Sequence, residues 1–160
     1  MTRVSRTLSK SEAEAFGREL DALRQSVVDD LGERDVAHIR KVIRMANTSE
    51  AAGRVLLHVG IGPLSFVGGV SALALSKILE NMEIGHNVMH GQYDWTRDPA
   101  LDSHRYDWDN VCTAEDWRHS HNFEHHTYTN IVGKDRDVGY GLLRVAAEQP
   151  WEPRYLAQPI

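Results

Sequence analysis

Six of the nine histidines in this 160-residue protein fall into two groups between Glu83 and Asp137. The first group is Gly85-His86-Asn87-Val88-Met89-His90-Gly91, an H-x3-H pattern. The second runs Trp117-Arg118-His119-Ser120-His121-Asn122-Phe123-Glu124-His125-His126 and contains H-x3-H-H. Histidines four apart on a helix share a face, with Cβ atoms about 5–6 Å apart. His86 with His90, and His121 with His125, can therefore each chelate a metal. His126 follows His125 about 100° further around an α-helix, where it can reach a second ion. Five imidazoles exceed what one tetrahedral site takes. Imidazole suits iron, zinc, copper and nickel alike, so the spacing predicts a metal centre and leaves the metal open. His119 is a further, weaker candidate ligand. Asp135 and Asp137 follow shortly after, either to orient ligand imidazoles by hydrogen bonds or as part of a solvated loop. His38, His58 and His104 stand alone and are left out of the site.

The elements that must carry these residues read as helices. Met1 to Lys10 is polar and expected to be disordered. Phe16, Leu20, Leu23, Val27 and Leu31 recur every three or four residues, which predicts an amphipathic helix over 11–31, capped by Ser9 or Ser11. A second, basic amphipathic helix is expected over Asp35–Ala46, suited to lie on a membrane surface or to face solvent. Val55–Leu79 is apolar, with His58 and Lys77 as its ionisable side chains, and long enough to cross a hydrocarbon core of about 30 Å. Arg40, Lys41, Arg44 and Arg54 place its N-terminal flank in the cytoplasm. A single crossing would then put the histidines outside. Gly60-Ile61-Gly62-Pro63 offers a break, so a helical hairpin is expected, with a short first arm and a second arm from Pro63 to about His90. The loop 92–115 carries Tyr93, Trp95, Tyr106 and Trp108 among its acids. A second metal helix is expected over Trp117–Thr129 and a short helix over Tyr140–Ala147, with Pro150, Pro153 and Pro159 keeping the end irregular.

At the two histidine groups the sequence resembles the membrane-bound fatty acid desaturase family, whose first two histidine boxes they match. The flanking words agree: Glu83-Ile84-Gly85-His86-Asn87 at the first box, then Thr129-Asn130 and Gly133-Lys134-Asp135-Arg136-Asp137 after the second. The similarity is to the bacterial acyl-CoA type and runs from about Leu31. The resemblance implies an all-α, membrane-associated protein with a transmembrane helix or hairpin. On that reading, 1–54 forms cytoplasmic or interfacial helices. Residues 55–160 form a partial desaturase domain with its membrane segment at about 55–80 and boxes at 86–90 and 121–126.

The resemblance also implies a non-haem di-iron centre held by His86, His90, His121, His125 and His126 on the cytoplasmic face of the cell membrane. The activity implied is O2-dependent insertion of a cis double bond into a fatty acyl-CoA or acyl-lipid. Electrons would come from a ferredoxin, a b-type cytochrome or a flavin reductase. A methylene group in the middle of an acyl tail offers no handle for acid–base catalysis, which is why redox metal chemistry is required. The family carries a third box, H-x2-H-H, downstream, and no histidine follows His126. The sequence is thus expected to be an N-terminal portion, inactive by itself. A related di-iron hydroxylase or monooxygenase, and a non-catalytic metal-binding membrane protein, remain as alternatives.

Composition narrows the rest. A net charge of −5 gives no sign of nucleic-acid binding. The acids concentrate on the histidine side: residues 1–54 hold 10 basic and 9 acidic side chains, residues 55–160 hold 8 and 14. One cysteine, Cys112, excludes an internal disulfide and four-cysteine zinc or iron–sulfur sites. No apolar core follows the charged N-terminus, so no secretory signal is expected.

Overall fold

The computed structural model describes residues 7–110 and 112–158. The expected disorder of the N-terminal stretch falls in part on residues 1–6, outside the described residues, as does Pro159. No strand occurs among the described residues, and the fold is all-α as expected. It divides into two compact units, Met1–Lys41 and Val42–Ile160.

In the first unit, helix α1 spans Lys10–Asp29. Its start is a reciprocal capping box: the Glu12 N–H donates to Ser9 Oγ at 3.3 Å, and the Ser9 N–H donates to Glu12 Oε2 at 2.8 Å. Phe16, Leu20, Leu23 and Val27 form its exposed apolar stripe. Helix α2, Glu33–Val59, starts in this unit and continues into the second. It joins what the sequence suggests as two segments. Nothing between Ala46 and Val55 breaks a helix, and Arg54 pairs with Glu50 one turn back, Nε to Oε1 at 2.9 Å.

The expected break is present. α2 stops at Val59, and Gly62 takes a left-handed φ of 93° that an L side chain resists. Pro63 then opens helix α3, Pro63–Ile78, where its fixed φ suits the first turn. The two arms approach closely through glycine. A Cβ on Gly53 would stand 2.7 Å from Leu73 Cγ, and one on Gly69 would stand 2.7 Å from Leu57 Cγ. Small residues at such a crossing let helices pack closely where no water drives them together.

Beyond α3 the helical rod continues through a π-helical turn, Leu79–Gly85, into helix α4, His86–Met89. Pro63–Met89 is long and apolar enough to cross a membrane, and only 11% of its apolar window is buried. That candidate span starts at Pro63, where the second arm is expected. A polar loop then folds back along the rod. Lys77 Nζ donates to Glu80 Oε2 at 2.7 Å and to the Asp109 carbonyl at 2.8 Å. The Trp108 ring covers Gly85, where a Cβ would come within 2.5 Å of Cε3. Helix α5, Ala114–Trp117, is capped by Thr113, whose Oγ1 accepts the Asp116 N–H at 3.0 Å. A second π-helical turn, Arg118–His125, and helix α6, His126–Tyr128, complete the second histidine segment. Ile84, Val88, Met89, Leu101 and Ala114 are buried beneath these elements.

The helix expected over Tyr140–Ala147 does not form. Gly139 and Gly141 adopt φ of 75° and 68°, and Tyr140 between them φ of 52°. The buried Gln149 side chain then takes over the backbone: Oε1 accepts the Val145 and Ala146 N–H groups at 2.6 and 2.8 Å. Its Nε2 donates to the Val138 and Leu143 carbonyls. A single glutamine thus offers this backbone the partners that a helix would have supplied.

Candidate metal centre

The two histidine groups meet. The His86 ring lies 4.6 Å from His90 and 4.9 Å from His121, centroid to centroid. His90 lies 5.3 Å from His121 and 4.8 Å from His126. His121 and His125 stack at 4.9 Å, and His126 sits 5.1 Å from His121. All five candidate ligands therefore share one cluster. His119 does not join it: its Nε2 faces Glu124 Oε1 at 3.5 Å, and its side chain is 64% exposed. His58, left out of the site, bonds locally, its Nδ1–H donating to the Arg54 carbonyl at 2.7 Å.

The π-helical turns are what align the second group. In an α-helix each residue advances about 100°, so a residue five positions on stands about 140° away. In a π turn the advance is roughly 80°, and residues four and five positions on both return to nearly the starting face. The i to i+5 bond that defines such a turn is present, the His126 N–H donating to the His121 carbonyl. His125 and His126 thus both approach His121. The other π turn ends in the same way on a candidate ligand, the His86 N–H donating to the Asn81 carbonyl.

Two carboxylates hold the imidazoles. Asp137 Oδ2 stands 2.9 Å from His121 Nδ1, and Asp135 Oδ2 stands 2.9 Å from His125 Nδ1. The Asp135 side chain is fully buried. Burial alone would raise its pKa. The N–H groups of Asn130 and Asp137, and then His125, outweigh burial and hold it below the ordinary carboxylate range. An ionised carboxylate only accepts, so Nδ1 of each histidine carries the proton and Nε2 is free to ligate.

The loop that returns these acids is built locally. Asn130 takes a left-handed φ of 63° and donates its N–H to Asp135 Oδ2 at 2.7 Å, and Gly133 takes φ of 83°. Asp135 Oδ1 then accepts the Asp137 N–H at 2.9 Å.

The donor set fits a transition metal. Ligand atoms of His86, His90 and His121 lie within 4.8 Å of one another, as do those of His121, His125 and Asp137. Asp137 is better read as orienting than as ligating, because its Oδ2 is engaged by His121 at 2.9 Å and also lies 3.6 Å from His125 Nδ1. Burial, then repulsion from His86, His126 and His121, holds His90 down at about 4, so it is a neutral donor at ordinary pH.

Two further residues shape the site and had no signal in the histidine pattern. Trp117 stacks on His121 at 4.4 Å and meets His86 edge-on at 5.4 Å. Asn122 Nδ2 donates to the Met89 carbonyl at 2.9 Å and so joins the two groups. A cavity of about 970 Å³ opens beside His121 and Trp117, with Glu124, Lys134, Arg136 and Tyr140 in its walls.

An all-α architecture with a membrane-length helix that runs directly into a histidine cluster fits a membrane-associated protein with a candidate metal site. Comparison with known proteins makes the class specific. The sequence is 47% identical over 145 residues to the NADPH-dependent stearoyl-CoA 9-desaturase of Mycobacterium tuberculosis, in each of two strains. That match takes in 91% of this protein and 34% of the relative. The sequence is 33% identical over 85 residues to the sn-1 linoleoyl-lipid 6-desaturase of Synechocystis sp., a match to 51% of this protein and 23% of the other. It spans about a third of the length of the Mycobacterium relatives. No family model and no solved structure matches it. These relatives support the bacterial acyl-CoA desaturase family.

Proposed function

We propose that this protein supplies the metal-binding face of an acyl-CoA desaturase, with His86, His90, His121, His125 and His126 as ligands to a non-haem iron pair. The observation that carries the reading is the convergence of five imidazoles from two segments, two of them clamped by carboxylates. The overall reaction takes two hydrogens from adjacent methylene groups, two electrons, two protons and O2, and gives a cis double bond and two waters. Bound iron would supply the redox capacity that an unactivated C–H bond demands.

The protein's own residues do the positioning. Asp135 and Asp137 set the ligating nitrogen of His125 and His121, and Trp117 closes one side of the cluster against water. The higher identity to the stearoyl-CoA enzyme than to the lipid enzyme favours a fatty acyl-CoA substrate. That relative's dependence on NADPH favours electrons delivered from NADPH by a flavin reductase, directly or through a ferredoxin. On this reading the histidines lie on the cytoplasmic face, where such donors reside.

The test is anaerobic loading of the purified protein with ferrous iron, read as iron per molecule and by Mössbauer spectroscopy. Imidazole-bound ferrous iron that is lost in His86→Ala and His121→Ala is expected. Zinc uptake without iron uptake would move the site to the non-redox class. Should the iron-loaded protein turn over with reductant and O2, against the expectation that it is inactive by itself, product analysis separates an alkene from the alcohol that a hydroxylase would form.

A further inference from the structure

We propose that Asn122 is a positioning residue that sets the separation of the two histidine segments, and with it the fit of the cluster to a metal. The inference rests on the reading that these histidines bind metal. Asn122 lies within the π turn between His121 and His125. Its Nδ2 donates to the carbonyl of Met89, the residue before His90, at 2.9 Å. The bond therefore crosses from one group to the other at the level of the rings, where His90 and His121 stand 5.3 Å apart. Met89 ends α4 and is buried, so its carbonyl lies in the last turn, where helix carbonyls have no partner within the helix.

A second observation separates this role from ordinary packing. The Asn122 Oδ1 atom is buried and has no hydrogen-bond partner. An orphaned buried acceptor opposes folding. An apolar side chain of similar size would remove that burden, at the cost of leaving the Met89 carbonyl unmet. For the metal-free fold the two choices nearly offset. For the centre they differ, because only the amide ties one segment to the other. His86 and His90 come from one side of that tie and His121 from the other, and their ligand atoms lie within 4.8 Å only while the segments keep this spacing.

The whole protein, purified in detergent as wild type, Asn122→Leu and Asn122→Asp, is titrated with Co(II). Ligand-field absorption reports coordination, and thermal unfolding is followed on the metal-free protein. Both variants are expected to bind Co(II) about tenfold or more weakly, with altered bands, while the metal-free midpoint of Asn122→Leu stays near that of wild type. The aspartate variant sharpens the reading: an added carboxylate by itself strengthens cation binding, so weakening there reports the lost donor. Wild-type affinity and spectrum in either variant would overturn the proposal. A loss of metal-free stability that accounts for the weaker binding would overturn it too, as would failure of both variants to fold. A wild-type protein that binds no Co(II) would instead overturn the metal reading itself, and the inference with it.

Discussion

Asp135 ties a histidine of the cluster to the loop that follows it. One carboxylate meets His125 Nδ1 and the N–H groups of Asn130 and Asp137, at 2.9, 2.7 and 2.9 Å. It fixes the tautomer of a ligand and closes the loop that also delivers Asp137 to His121. Removal of such an outer partner typically costs about 10–100-fold in metal affinity. Asp135→Asn is expected to weaken Co(II) binding by that range in competition with a chelator, and unaltered affinity would argue that the loop only packs. The candidate ligands are legible from sequence because i, i+4 spacing has a geometric meaning on any helix. Asp135 and Asp137 are legible as candidates and no more, since a solvated acidic loop reads the same way. Asn122 and Trp117 are not legible as parts of the site. Their contacts, to Met89 and to the rings of His86 and His121, depend on which segments cross, and no local pattern encodes that.

At the scale of elements, the π-helical turns are the feature periodicity does not supply. An α-helical count sets His126 away from His121, and the wide turn brings the rings to 5.1 Å. The helix starts are better signalled, because capping is local: Ser9 and Pro63 both stand where side-chain chemistry predicts. The helix expected over Tyr140–Ala147 fails for the converse reason, a glutamine beyond the segment satisfying its backbone.

The loop that braces the first histidine segment has its own titration signature. Burial, then the charges of Glu80 and Asp107, push Tyr106 up to about 12. Its carbonyl accepts from Arg118 Nη2, and Arg118 Nε donates to the Ser103 carbonyl, so the loop is tied to the second histidine segment. A phenol that ionises near 10 when unfolded and near 12 when folded adds stability in full below pH 10. Between the two values the unfolded state has lost the proton and the fold keeps it, so stability falls as pH rises through that window. Phenolate absorbance should show a tyrosine titrating near 12 in the wild type that is absent in Tyr106→Phe. An identical alkaline profile in the variant would remove Tyr106 from this role.

For the molecule as a whole the question is how many times it crosses the membrane. Pro63–Met89 is long enough for one complete crossing, which would separate the basic residues of α2 from the histidines. The distribution of charge argues for a hairpin instead. From Val55 to Ser76 there is no Asp, Glu, Lys or Arg, and this interval contains the turn at Gly60–Gly62. Ile61 and Leu64, at the tip, are 97% and 90% exposed. The charged side chains resume at Lys77, Glu80 and Glu83, so α3 rises only about 21 Å before it meets charge, at about 1.5 Å per residue. That falls short of a hydrocarbon core of about 30 Å. A hairpin would bring both arms in and out by one face, with Arg54 and Lys77 at its boundary and the glycine contacts of Gly53 and Gly69 holding the arms together. In a Cys112→Ser background, single cysteines at Arg44, Ile61 and Ser120 test this with a membrane-impermeant maleimide on inverted and right-side-out vesicles. Cysteines at 44 and 120 are expected to label from the cytoplasmic side, and one at 61 from neither side until detergent is added. Labelling of 44 and 120 from opposite sides would establish a single crossing. The histidine cluster and the basic helix would then lie in different compartments, out of reach of the same electron donor.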